Sequence, residues 1–148
     1  MTIKIENRRA RAEYEILRTF EAGMVLSGSE VKSIRAGSCN LKSGWVSIRD
    51  NACFLENISI SRWKFSNENH ESIRSRELLL TKKEIRQIAS KIKEKGVTVF
   101  PLAIFSRGKF LKCTIGIGKG RQKHEKRELL RARAAKRESD KALKNFNS

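Results

Sequence analysis

The sequence predicts a mainly β protein: a small antiparallel barrel with about two or three short helices and a basic C-terminal tail. Three observations carry that expectation. Apolar residues recur with a period of two over 41–62, and two further strand runs, 97–105 and 109–117, are joined by the tight turn Ser106-Arg107-Gly108. Two helix-start signals stand at Ser27 and Thr81, each followed three residues later by Glu. From 119 onward the patterning gives way to dense Lys and Arg.

In order, residues 1–12 are basic with little apolar patterning and predict a flexible arm or short helix. Tyr14, Ile16, Phe20 and Met24-Val25-Leu26 then form a first strand region, with Gly23 placed at a bend or bulge. Ser27 to Glu30 is a capping box, Val31 and Ile34 share one face, and Gly37 stops a helix of about two turns. Val46 and Ile48 alternate with Trp45, Ser47 and Arg49. After Asp50-Asn51 the alternation resumes through Phe54, Ile58 and Ile60, which predicts a hairpin with a two-residue turn. Residues 61–77 are polar and predict an exposed loop containing His70, Arg74 and Arg76. Thr81 and Glu84 make a second capping box, with Leu80 and Ile85 at the staple positions. Ile85, Ile88, Ala89 and Ile92 form the apolar stripe of that helix, and Gly96 ends it. Two strands, 97–105 and 109–117, follow around Ser106-Arg107-Gly108, and Pro101 predicts an edge or an opening in the first.

A chain of 148 residues holds one domain with one core plus tails. The divisions expected are an arm at 1–12, a barrel at 13–118 and a tail at 119–148. Thirty-three Lys and Arg oppose sixteen Asp and Glu, a net charge of +17 that self-repels unless a polyanion neutralises it. Nucleic acid is that polyanion, its affinity arising from phosphate neutralisation with counterion release. The tail alone has eleven cations against four acids and no continuous apolar face, so it is expected to order only against a polyanion. Closure would remove exposed strand edges, and the OB-type barrel is the oligonucleotide-binding version; a simple α+β sandwich also satisfies the pattern.

Other chemistry finds no support. Cys39, Cys53 and Cys113 are odd in number and contain no CxxC pair, which predicts reduced thiols and fits a cytosolic location. The charged N-terminus lacks the apolar run of a signal peptide, and the longest apolar stretch, 97–105, is too short for a membrane helix. Gly116-Ile117-Gly118-Lys119-Gly120 matches neither phosphate-loop pattern, and its glycines are read as relaxing a strand end. His124-Glu125 begins a zinc-protease motif that Glu128 does not complete. With two histidines and no carboxylate cluster, no catalysis, cofactor or metal is expected.

Several segments together resemble the SsrA-binding protein (small protein B, SmpB) family. They are Asn7-Arg8-Arg9-Ala10-Arg11 with Tyr14, Phe20-Glu21-Ala22-Gly23, Gly28 through Gly37, Asn40-Leu41, Arg76 through Leu80, and Lys119-Gly120-Arg121 with His124 through Arg127. They span nearly the whole chain. The resemblance implies an OB-like barrel that binds the tRNA-like domain of transfer-messenger RNA and delivers it to ribosomes stalled without a stop codon. It implies a tail that enters the 16S rRNA decoding centre and the empty mRNA path, and a partner in elongation factor Tu through the charged RNA. A monomer is expected. A structural ribosomal-type protein is the alternative. Asn7, Arg8, Arg9, Arg11, Tyr14, Glu21, Lys32, Arg35, Asn40, Arg76 and Thr81 are the expected RNA contacts. Lys119, Arg121, Lys123, His124, Lys126, Arg127 and Arg131 are the expected ribosome contacts. Glu30 is read as a helix cap and Leu79 as a core residue. Glu125, Thr81 and the order Arg121-Gln122-Lys123 depart from the family pattern.

Overall fold

The structure, a computed structural model, describes residues 4–120. Its elements are β1 (Lys4–Glu6), α1 (Arg8–Glu13), β2 (Tyr14–Met24), α2 (Gly28–Arg35), β3 (Cys39–Asn40), β4 (Trp45–Arg49) and β5 (Ala52–Glu56). They continue with β6 (Ser59–Ile60), β7 (Arg76–Leu79), α3 (Lys82–Ile92), β8 (Val97–Arg107) and β9 (Phe110–Gly120). Seven strands make one antiparallel sheet in the order β1-β8-β9-β2-β7-β5-β4, and β3 pairs with β6 beside it. The sheet curls into an OB-like barrel around Phe20 and Ala22 of β2 and Leu111, Cys113, Ile115 and Ile117 of β9.

The hydrogen-bonded ladder does not close, because β1 and β4 lie at its two ends. The seam is joined by packing instead. A Cβ at Gly44, on the approach to β4, would sit 2.6 Å from Ile58 Cγ2 and 2.8 Å from Pro101 Cγ, so only glycine lets that backbone lie against β8. Proline suits the position: the ladder of β8 with β9 shifts register between Pro101 and Ala103, and β1 covers β8 only from Ala103 to Phe105. The opening expected at Pro101 is therefore present as an irregularity in the strand.

Both capping boxes form as expected, at Ser27–Glu30 and Thr81–Glu84. Helix α2 ends in a Schellman motif. Ser38 N donates to Ser33 O, Gly37 N donates to Ile34 O, and Gly37 has φ +80°, where a Cβ is costly. The Asp50-Asn51 turn has φ +50° and +62°, the left-handed pair that matches strand twist in a two-residue hairpin.

Four expectations need correction. The run 52–60 is not one strand: Asn57 at φ +58° breaks it and shifts the alternation by one. Cys53 and Leu55 face the core, and Phe54 faces out, with the Arg49 guanidinium 4.2 Å from its ring centre. Leu79 is 55% exposed, and its neighbour Leu78 fills the core position. The bulge of β2 lies between Ile16 and Arg18, while Gly23 stays in register with both Leu79 and Lys112. Finally, the polar run to 77 is neither wholly loop nor wholly exposed, since it ends in β7 and contains buried His70 and Arg76.

The N-terminal segment takes the helical alternative, preceded by a short strand. Helix α1 covers the side of the sheet facing away from the main core, where Ala10 packs with Phe100 and Leu102 and with half-buried Tyr14 and Ile16. That second core explains Gly116 and Gly118. A Cβ at Gly116 would lie 2.8 Å from Leu102 Cδ1, and one at Gly118 would lie 2.8 Å from Glu15 O and 3.0 Å from Phe100 Cζ. The glycines make room for those side chains; they do not relax a strand end. Gly118→Ala is expected to destabilise the fold by about 1–3 kcal/mol through overpacking, read as a lowered thermal midpoint. Strand β9 also continues through Lys119 and Gly120, two residues past the expected barrel boundary.

Candidate nucleic-acid interface

The interface rests on a buried charge cluster. The Glu30 carboxylate caps α2, accepting from Ser27 N at 2.9 Å. It also accepts from Arg76 Nε at 2.6 Å and forms an ion pair with the Arg74 guanidinium. Glu30 and Arg76 are both fully buried. Arg76 Nη1 donates to Ile58 O and Arg74 O, and Nη2 donates to Glu71 O and Ser72 O, all at 3.1–3.2 Å. Every guanidinium nitrogen thus has a partner, which a buried Arg requires. Burial pushes the Glu30 carboxyl upward, but hydrogen bonds from Arg74, the Ser27 backbone and Arg76 prevail and hold it at about 2 against an ordinary 4.5.

His70 closes the same frame. Its Nε2 lies 2.9 Å from Ile60 O, and its Nδ1 lies 2.7 Å from Ser29 Oγ. A carbonyl only accepts, so Nε2 carries a proton and donates to Ile60 O, while Nδ1 and the Ser29 hydroxyl share the second bond. The segment 61–75 is therefore tied to α2 by Arg74, Arg76 and His70. Polar composition in the sequence conceals this, since solvated and buried polar residues read alike until their partners are known.

Above the frame lies a cationic surface. Arg35 Nη2, at the end of α2, donates to Lys109 O at 3.1 Å, which attaches the helix to the β8–β9 hairpin. Arg107 on that hairpin pairs with Glu21 of β2 at 3.2 Å. Lys112 stands opposite Gly23 in the ladder, and its Nζ would lie 3.8 Å from a Cβ built there; Leu79 Cβ would lie 3.3 Å from it. The structure thus brings Glu21 and Arg35 to one hairpin and adds Arg107, Lys109 and Lys112, which the sequence reading missed. Exposed Leu79 and Phe110 supply apolar surface among the cations. Lys32 is exposed one turn before Arg35. Glu21, expected as an RNA contact, is engaged in that ion pair.

A second cationic group was also missed. Lys83, Arg86, Gln87, Ser90 and Lys91 of α3 line a cavity with Arg18 of β2, and no acid among the described residues lines it. Spacing of three and four residues places these on one helix face, a signal the apolar stripe overshadowed. The remaining sites separate. Arg8, Arg9 and Arg11 are exposed on α1, with Arg9 Nε bonded to Glu13 at 2.8 Å. Tyr14 stacks on Phe100 at 4.5 Å. Exposed Asn40 accepts from Lys42 N, and exposed Thr81 caps α3. Exposed Lys119 lies in β9 opposite Glu15 and Val97.

Asn7 and Arg76 are not surface groups. Asn7 Nδ2 donates to Pro101 O at 2.8 Å and to Leu41 O at 3.1 Å, while Oδ1 caps α1 by accepting from Ala10 N. Arg121, Lys123, His124, Lys126, Arg127 and Arg131 lie outside the described residues. The three cysteines are free, and burial pushes the thiols of Cys39 and Cys53 up to about 11 and about 12. No described helix is long and apolar enough to cross a membrane.

The curled sheet and the cations gathered on its hairpin and helices define a small OB-like barrel of the polyanion-binding class. The family model described as SmpB protein matches residues 4–145, and the chain belongs to that family. It is 48% identical over 143 residues to the SsrA-binding protein of Halalkalibacterium halodurans, covering 96% of this chain and 93% of the relative. It is 49% identical over 141 residues to that of Prochlorococcus marinus subsp. pastoris, covering 94% and 81%. It also superposes with a TM-score of 0.70, at 38% identity, on a chain of the structure "tmRNA-SmpB: a journey to the center of the bacterial ribosome". That match covers 86% of this chain and 94% of the other.

Proposed function

We propose that the protein binds the tRNA-like domain of transfer-messenger RNA and delivers it to stalled ribosomes for trans-translation. The observation that carries this reading is the near-full-length match to proteins named for binding SsrA RNA. The geometry supplies a physical basis: Arg35, Arg107, Lys109 and Lys112 converge on one hairpin beside apolar surface. Phosphates neutralise the cations, and Leu79 and Phe110 offer surface to riboses or bases. Arg8, Arg11 and Lys32 extend the phosphate contacts. Asn7 and Arg76 serve by position: one anchors α1, the other ties the 61–75 segment to α2.

The rest of the reading is also proposed. Residues 119–148 enter the decoding centre and the empty mRNA path, with the charge of the tail neutralised by 16S rRNA. Elongation factor Tu joins through the charged RNA, the protein acts as a cytoplasmic monomer, and it catalyses no reaction. Affinity for transfer-messenger RNA, measured by filter binding, should fall linearly in log–log form with salt. Arg35→Ala and Lys112→Ala should each reduce that slope by about 1. An affinity indifferent to salt would contradict the electrostatic basis.

A further inference from the structure

We infer that the protein carries a separate subsite for one unpaired nucleotide, walled by Tyr14 and Trp45 and rimmed by Arg9 and Lys42. This rests on the reading that the partner is RNA and adds the form of RNA a second face takes. A cavity of about 260 Å³ lies between α1, the approach to β4 and β8, lined by these four residues with Ser43 and Thr98 among others. Its position follows from the Gly44 seam. With no room for a Cβ, that backbone is pressed onto Ile58 and Pro101, and Trp45 begins β4 in register with Glu56.

Trp45 is 48% exposed, although an indole is among the most favourable side chains to bury. Tyr14 is backed by the Phe100 ring at 4.5 Å and an interplanar angle of 25°, which fixes its orientation. The Tyr14 ring, held in place by Phe100, loses little freedom on stacking, so its contact with a base is pre-organised. Every base has a π-face, and stacking on an aromatic contributes about 1–3 kcal/mol per base. The cations suit the adjoining phosphate. Arg9, held through Nε by Glu13, and exposed Lys42 both line the cavity, with the Glu13 carboxylate beside them. A duplex offers phosphates but keeps its bases stacked, so this site selects single strands, loops or ends.

The test uses the full chain with Trp63→Phe, which leaves Trp45 as the only tryptophan. A single-stranded hexanucleotide should quench Trp45 fluorescence saturably, and a duplex of the same sequence should not. Lys42→Ala in that background should weaken the quench several-fold, and Trp45→Ala should lower affinity for the single strand about tenfold while Trp45→Phe retains it. Equal quenching by duplex, or a quench indifferent to Lys42→Ala, overturns the subsite. A gel shift with transfer-messenger RNA separates the two failures. RNA bound with Trp45 silent refutes only this site, whereas no RNA bound by any form refutes the parent reading.

Discussion

Glu30→Ala should lower the stability of the protein by about 3–5 kcal/mol, because it leaves the Arg76 guanidinium buried without its counter-charge. At about 2–4 °C per kcal/mol for a chain of this size, the thermal midpoint should fall by roughly 10 °C. The loss has three sources: the cap of α2, the ion pair with Arg74 and the ion pair with Arg76. Replacing both members of the buried pair, as in Glu30→Leu with Arg76→Met, should cost less than Glu30→Ala alone, since no charge is then stranded. The same carboxylate predicts an acid response. Its folded value is depressed to about 2 from 4.5, so its stabilisation is full above about pH 4.5 and is lost as pH falls toward 2. Thermal melts followed by circular dichroism across that window check both effects, and the Glu30→Ala curve should be flatter there. A midpoint within about 2 °C of the parent at pH 7 would contradict the assignment, given the expected slope.

Lys126→Ala with Arg127→Ala should abolish tagging of stalled chains while leaving affinity for transfer-messenger RNA nearly unchanged. The expectation follows from separating the two cationic regions. The hairpin cluster around Arg35, Arg107 and Lys112 lies wholly within the barrel, while the tail carries its own net charge of +7 over residues 119–148. If the barrel grips RNA and the tail reads the empty decoding site, a tail substitution removes a ribosome contact without removing a grip. Tagging in a reconstituted translation reaction and filter binding of the same variant measure the two activities apart. Loss of RNA affinity in step with tagging would show that the tail belongs to the grip.

Much of the fold was legible because its signals are local. A capping box needs four residues, and both boxes form where Ser27 and Thr81 predicted them. Asp50-Asn51 takes left-handed dihedrals within a two-residue turn. The errors share the opposite character. Leu78 and Leu79 are chemically identical, and only the pairing of β7 with β2 decides which one the core receives. Phe54 reads as buried until Asn57 shifts the phase. For the candidate site, Arg35, Glu21 and the turn at 106–108 were visible in the sequence, but their meeting was not, because Arg107 and Lys109 reach Glu21 and Arg35 across the chain.

The sequence by itself determined the partner class, the β-rich architecture and both helix starts. Charge sums along a chain irrespective of its path, and propensity, capping and alternation act between near neighbours. Tertiary structure alone decided which polar groups are buried. Asn7 and Arg76 look like surface groups in a basic chain, yet one caps and anchors α1 and the other pairs with Glu30 inside the fold. It also decided that the barrel seam is joined by packing at Gly44 instead of a ladder, and that Tyr14 and Trp45 line one cavity. Those outcomes depend on residues tens of positions apart meeting at contact distance, a property of the folded path and not of any window along it.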